Sequence, residues 1–263
     1  MSERFCFPSV RGERLAAILD WPVGEPIAYA LLVHCFACGK DNLAAKWIAE
    51  ALTLRGIAVL RFDFTGLGAG EAEIVSTNFS SNVADVVAAA DHMRRESRAP
   101  AILVGHSLGG AAVLAAAPKV TEAQAVITIA APSDPARVAG LFNEHTANIR
   151  EREVEVRLAG QPFRVRREFL EDMTEQRLIE RLPHLNRALL IFHSPMDNVV
   201  SIDNADTIFA AAKHPKSFVS LADADHLLSH RDDALYVAHV IWAWAKRYLE
   251  EEQVAKQDLI AHP

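Results

Sequence analysis

The chain has 263 residues, of which 51% are hydrophobic and 23% charged, so it holds enough apolar material for a sizeable core. Its formal net charge of −7 argues against nucleic acid or an anionic membrane as the main partner, because both bind clustered Lys and Arg. No segment reaches the roughly 18 uninterrupted apolar residues of a membrane span.

Short apolar runs alternate with helical patterns along most of the chain. After a hairpin within residues 4–22, the runs predict strands at 28–33, 57–62, 101–104, 125–130, 188–192 and 217–221. Helical spacing predicts helices at 42–55, 81–94, 108–117 and 234–249. Strands that alternate with helices need crossover connections. The sequence therefore predicts a single α/β domain over residues 1–263, with a mostly parallel sheet and helices on both faces.

One interval breaks this rhythm, because residues 131–183 contain no deeply apolar strand. A small hairpin at 154–165 and a helix from Glu168 are predicted there. We expect a cap insertion at about 134–183, lying over the carboxyl ends of the strands, with Phe163 in the substrate pocket. The alternatives are a surface insertion without a role in binding and a contact with a second copy of the chain, which would make a homodimer.

The segment Gly105–Gly109 matches the pattern G-x-S-x-G, directly after a predicted strand and before a predicted helix. That context is typical of a nucleophile elbow, a sharp turn that lifts the Ser107 hydroxyl clear of the sheet. The flanking positions need glycine because a Cβ there would strike the neighbouring strand or helix. The backbone N–H of Leu108 would then point at a forming oxyanion.

A serine hydroxyl needs a base within hydrogen-bond reach, and the chain has 11 histidines. His226 follows the last predicted strand, where chain order in such folds places the base. Asp197 follows the strand before it and is the expected acid that orients the imidazole. Asp203 is the main rival, although it falls within a helical stretch, and Asp225 is too near His226 in sequence to bond its ring.

The second oxyanion donor should come from the loop after residue 33, and the N–H of Phe36 is the best candidate. Cys35, in this loop, and His106, in the elbow, are expected to line the substrate pocket. Cys35 and Cys38 also form a C-x-x-C pair, for which redox or metal chemistry is the alternative to simple loop packing.

Six segments carry a likeness to known proteins: His34–Cys35–Phe36, 61–68, 77–82, 105–110, 203–205 and 214–218. They resemble the α/β-hydrolase superfamily, and in particular a bacterial subgroup whose hydrolase domain is often fused to an OsmC-type domain. The resemblance covers nearly the whole chain and implies that Ser107, Asp197 and His226 form a catalytic triad. The sequence departs from the subgroup in two ways: Cys35 stands where glycine is usual, and the 263 residues leave no room for an OsmC domain.

These patterns predict a serine hydrolase that cleaves small carboxylic esters and requires no metal or organic cofactor. The interval 131–183 is short for a large lipid-binding cap, which favours small substrates. A serine peptidase acting on short peptides and a non-catalytic binding module are the alternatives. Dehalogenases and epoxide hydrolases of this fold carry Asp at the elbow, where this chain has serine. Charges in residues 1–14 argue against a signal peptide, and three cysteines, an odd number, predict no disulfide framework, so we expect a cytoplasmic protein.

Overall fold

The computed structural model describes residues 1–34, 40–65, 78–136, 153–158 and 161–261. The strands in these ranges are β1 Ser2–Pro8, β2 Arg14–Asp20, β3 Ala28–Val33, β4 Ile57–Phe62, β5 Ile102–His106, β6 Ala125–Ile129, β7 Glu153–Leu158, β8 Gln161–Arg166, β9 Ala188–His193 and β10 Lys216–Ser220. The helices are α1 Leu43–Thr53, α2 Phe79–Arg95, α3 Leu108–Ala116, α4 Arg167–Thr174, α5 Leu178–Arg181, α6 Asp203–Ala211 and α7 Arg231–Ala261.

Eight of these strands form one sheet in the order β1-β2-β4-β3-β5-β6-β9-β10. β2 runs antiparallel to both of its neighbours, β1 and β4, and every other pairing in this sheet is parallel. β3, β4, β5, β6 and β9 are almost wholly buried, because helices cover both faces of the sheet. This explains why their sequences are continuous apolar runs.

The core has two halves, one on each face of the sheet. On one face α1 packs against α7, and its apolar residues meet those of β3, β6 and β9. On the other face α2 and α3 pack together, with buried residues of α4, α5 and α6 beside them. The Ala-rich sequence of α3 suits its position, since all nine of its residues are buried.

The carboxyl ends of β3 and β5 mark the point at which the strand order reverses. The chain leaves β3 for β4 on one side and later returns to place β5 on the other side. Connections that diverge in this way leave a crevice between them, where open α/β sheets bind their ligands. Residues 34 and 107 follow directly on these two strands.

The interval between β6 and β9 holds the separate two-stranded sheet β7-β8, paired from Glu153 opposite Arg166 to Leu158 opposite Gln161. The helix after it is part of the main body. Phe169 and Met173 of α4 are buried in the core, and both carboxylate oxygens of Asp172 accept hydrogen bonds from Ser80 at the start of α2, at 2.6 and 2.7 Å. The described helices include none that is long and apolar enough to cross a membrane.

Candidate active site

Ser107 occupies a sharp turn between the end of β5 and the start of α3. Its backbone has φ 55° and ψ −127°, a combination that residues other than glycine rarely adopt. Such a conformation costs of order 1–3 kcal/mol and persists only where the surroundings enforce it. Here the Ser107 N–H donates to the Ile129 carbonyl oxygen at 2.8 Å, while the Gly110 N–H donates to the Ser107 carbonyl oxygen at 2.8 Å.

The glycines around Ser107 allow this turn to pack against its neighbours. A Cβ at Gly109 would lie 2.6 Å from the carbonyl oxygens of Val33 and His34, at the end of β3. A Cβ at Gly105 would lie 2.6 Å from Cα of Gly110, within the first turn of α3. Both distances are far below van der Waals contact, so the close approach of β3, β5 and α3 depends on these glycines.

His226 lies in the loop between β10 and α7 and joins Ser107 to Asp197. Its Nε2 is 2.9 Å from the Ser107 hydroxyl, and its Nδ1 is 2.8 Å from Oδ2 of Asp197. The three side chains therefore form one continuous hydrogen-bonded line, in the order expected from the sequence. Because the carboxylate accepts from Nδ1, Nε2 is left free to take the serine proton.

Asp197 sits on the turn after β9, with its carboxylate fully buried. Its Oδ1 accepts hydrogen bonds from the N–H groups of Val199 and Val200, each at 2.9 Å. Burial alone would raise the pKa of Asp197, but hydrogen bonds from His193, His226 and the Val200 N–H hold that pKa well below its usual range. The carboxyl is therefore ionised throughout the range in which an imidazole titrates.

The rival carboxylates point elsewhere. Asp203, at the start of α6, is exposed and accepts a hydrogen bond from the Ser201 hydroxyl at 3.0 Å. Asp225 is also exposed, and its carboxylate accepts from the backbone N–H and the hydroxyl of Ser229. Neither of the two is hydrogen-bonded to His226 in the part of the chain that the structure describes.

The backbone N–H of Leu108 opens α3, directly beside the Ser107 hydroxyl. Among the described residues, the Ser107 hydroxyl makes no capping hydrogen bond to this helix and bonds to His226 instead. The positive end of the helix dipole and its first N–H groups therefore remain available to a developing negative charge.

Phe36, Cys35 and Cys38 lie outside the described residues, so the second oxyanion donor and the C-x-x-C pair stay predictions. Both ends of their loop are held at the end of β4. His34 Nε2 is 2.9 Å from the Phe62 carbonyl oxygen, and Lys40 Nζ is 2.8 Å from Oδ2 of the buried Asp63.

His106, which was expected in the substrate pocket, is buried, and its ring contacts the loop that carries His226. Its Nε2 donates to the His226 carbonyl oxygen at 2.7 Å, because a carbonyl can only accept. Burial and the neighbouring His226 ring lower the pKa of His106 to about 4, so this imidazole is neutral at physiological pH. Its contact with the His226 backbone is a feature that sequence reasoning missed.

This depressed pKa makes folding stability depend on pH. Below the ordinary histidine pKa of about 6.5 the unfolded chain binds a proton that the folded chain excludes down to about pH 4. We therefore expect His106 to cost up to about 1.4 kcal/mol of unfolding free energy for each pH unit lost within that window, and nothing above it. Urea unfolding at about pH 7 and about pH 5 measures the slope.

His106→Gln keeps an amide donor near the Nε2 position but cannot titrate, so its slope should be smaller than that of the wild type. His239→Gln, on the exposed side of α7, is the matched control and should keep the wild-type slope. Equal slopes in all three proteins would contradict the assignment of this pH dependence to His106.

Phe163 lies in β8, opposite Val156 of β7. Its side chain is outside what the structure describes, so its expected place in the substrate pocket stays a prediction. Within the described ranges, no group of three or more His, Cys, Asp or Glu side chains is arranged to hold a metal ion.

The sheet order, the elbow and the Ser-His-Asp line together define a hydrolase of the α/β type. The chain belongs to the α/β hydrolase family, whose sequence pattern matches residues 30–240. The predicted fold class is thereby confirmed. A comparison with curated proteins found no match.

Solved structures supply the more particular likenesses. The chain is 49% identical to the esterase domain of a Rhodothermus marinus protein, with a TM-score of 0.80, covering 95% of this chain and 99% of that one. It shares 17% identity with Est1E from Butyrivibrio proteoclasticus, solved with ferulic acid bound, at a TM-score of 0.81 and a coverage of 94% and 99%. A lidless serine hydrolase from Xanthomonas campestris, 19% identical, has a TM-score of 0.65 and is covered to 94%, as is this chain.

Proposed function

We propose that this protein is a serine hydrolase that cleaves small carboxylic esters through an acyl-enzyme intermediate. The observation that carries the proposal is the unbroken line from the Ser107 hydroxyl through His226 to Asp197, at 2.9 and 2.8 Å. A nucleophile, a base and an orienting acid in this geometry are the parts that acyl transfer requires.

In the proposed reaction the Ser107 oxygen attacks the ester carbonyl carbon while His226 Nε2 accepts the hydroxyl proton. The negative charge that develops on the carbonyl oxygen is stabilised by the Leu108 N–H at the start of α3 and, by our proposal, by the N–H of Phe36. The imidazolium then gives its proton to the departing alkoxide. Water repeats the sequence on the acyl-enzyme, releasing the carboxylic acid and restoring Ser107.

Asp197 supports both halves of this cycle. Its carboxylate holds the His226 tautomer that leaves Nε2 free, and its negative charge stabilises the imidazolium. Because the pKa of Asp197 is held well below its usual range, the carboxylate stays charged while His226 changes state. The proton therefore shuttles between the serine oxygen, the imidazole and the leaving group.

Esters are favoured over amides by the likeness to the esterase domain from Rhodothermus marinus, which is 49% identical over nearly the full length of both chains. The other two solved structures are only 17% and 19% identical to this chain, so their likeness supports the fold alone. We therefore place a carboxylesterase first and a peptidase of short peptides second.

A panel of substrates tests whether the protein prefers esters to peptides. We expect p-nitrophenyl esters with short acyl chains to be hydrolysed with a kcat/KM at least about a hundredfold above that for aminoacyl p-nitroanilides, since p-nitrophenolate is a better leaving group than the anion of p-nitroaniline. Lengthening the acyl chain across the ester series measures the depth of the acyl pocket. A higher kcat/KM for the anilides would favour the peptidase, and a protein that hydrolyses neither series would favour a binding module.

A further inference from the structure

A second histidine lies against the acid, near the same carboxylate oxygen that bonds to His226. His193 is the last residue of β9, four positions before Asp197, and its side chain is completely buried. Its Nε2 is 2.8 Å from the Val200 carbonyl oxygen and 3.5 Å from Oδ2 of Asp197. Because β9 is paired on both sides, by β6 and β10, this ring is carried by a rigid part of the sheet.

The partners of His193 fix its tautomer. A carbonyl oxygen and a carboxylate oxygen can only accept, so Nε2 carries the ring proton and directs it between them. Nδ1 is buried, and the described residues offer it no hydrogen-bond partner. Placing a proton on Nδ1 would leave a buried donor unsatisfied, which costs about 1–3 kcal/mol. The ring therefore acts as a donor with a fixed direction.

His193 reaches one oxygen of the acid through Val200 and faces the other itself. The Val200 N–H donates to Oδ1 of Asp197 at 2.9 Å, while the Val200 carbonyl accepts from His193. The same ring N–H faces Oδ2, the oxygen that bonds to His226 at 2.8 Å. His193 thus restrains the carboxylate directly and also through the peptide that closes the turn.

We propose that His193 is a positioning residue, which holds the Asp197 carboxylate in the orientation that its hydrogen bond to His226 requires. The residue touches no reacting atom, since its ring bonds to the Val200 carbonyl, contacts the acid and is closed off from solvent. The proposal rests on the proposed esterase function, in which the contact between Asp197 and His226 sets the tautomer and the charge of the base.

Glutamine and asparagine form a matched pair of substitutions at this position. The amide nitrogen of glutamine reaches about as far as Nε2 of histidine, whereas that of asparagine reaches only about as far as Nδ1. His193→Gln should therefore keep the donor to Val200 and stay within about threefold of the wild-type kcat. His193→Asn should lower kcat about tenfold, which corresponds to the loss of one hydrogen bond to a charged group. Its KM should stay within about twofold of the wild-type value.

The pH profile distinguishes positioning from a general loss of structure. A loosened Asp197 stabilises the His226 imidazolium less, so the acidic limb of kcat/KM should move to lower pH in His193→Asn and not in His193→Gln. In the described part of the chain, His106 of β5 bonds to the His226 backbone and His34, after β3, lies near enough to His106 to lower its pKa; both are retained in the two variants. The far-downfield proton resonance of the bond between His226 and Asp197 should also shift or broaden in His193→Asn, with no substrate present.

Each outcome bears on one proposal alone. A wild-type protein without ester hydrolysis would overturn the proposed function, while the proton resonance would still test the role of His193. The positioning role would be overturned if the wild type were active and the two variants, His193→Asn and His193→Gln, did not differ. The comparison covers kcat, the pH of the acidic limb of kcat/KM and the proton resonance of the bond between His226 and Asp197. If His193→Asn does not fold, His193→Phe fills the ring's volume without a donor and is expected to give the same three changes.

Discussion

Ser107→Ala is expected to abolish ester hydrolysis, lowering kcat by a factor on the order of 10⁴ to 10⁶. The reason is that no other group in the line to Asp197 can form the acyl-enzyme, whereas water attacking a bound ester retains only the help of the oxyanion donors. Steady-state kinetics with a short-chain p-nitrophenyl ester measure the loss. A fluorophosphonate probe, which reacts with activated serines, should label the wild type and leave Ser107→Ala unlabelled.

The fold should survive this change, because the Ser107 hydroxyl makes no packing contact that the core depends on and the residue is only half-buried. Ser201→Ala, at an exposed serine on the turn before α6, is the control and should keep full activity and labelling. Retention of activity within about tenfold of wild type in Ser107→Ala would remove Ser107 from the role of nucleophile.

Asp197→Asn is expected to lower kcat by a factor on the order of 10⁴, with little change in KM. An amide at this position can donate a hydrogen to Nδ1 of His226, which would stabilise the tautomer that carries its proton on Nε2. That tautomer cannot accept the serine proton. Replacing a carboxylate by a neutral amide also removes the negative charge that stabilises the imidazolium.

Two exposed carboxylates supply the controls for this change. Asp203→Asn and Asp225→Asn alter side chains that bond to nearby serines and not to His226, so each should keep near wild-type kcat. Kinetics for the three variants at a single pH give the comparison. If Asp203→Asn were the damaging substitution and Asp197→Asn mild, the identity of the acid would have to be reassigned.

The sheet could be predicted closely from the sequence because its central strands are buried on both faces. Runs such as 28–33 and 188–192 contain no charged residue, and the structure places β3 and β9 there within one residue at each end. The last helix was less well predicted. The apolar periodicity of this segment covers 234–249, whereas the helix spans Arg231–Ala261. Its last turns are rich in Glu, Gln, Lys and Ala, residues that favour a helix even where the apolar periodicity is absent.

The line of Ser107, His226 and Asp197 could be expected from the motif at the elbow and from the positions of the other two residues after successive strands. The hydrogen bonds of the other buried histidines could not. His106 bonds to the backbone of His226, 120 positions away, and a backbone carbonyl leaves no trace in the sequence. His193 precedes the acid in the chain, which argues against a role as the base, and its spacing of four residues from Asp197 was the only sequence signal for a contact with it.

The wide separation of the three side chains along the chain has a consequence for protein synthesis. His226 lies 119 residues after Ser107, in the loop between β10, at the edge of the sheet, and α7, which packs on α1. Domains fold as their segments leave the ribosome, starting from the amino terminus. By the proposed mechanism, a nascent chain that has already formed its elbow has a serine without its base, and we expect ester hydrolysis only once the last quarter of the sequence has docked.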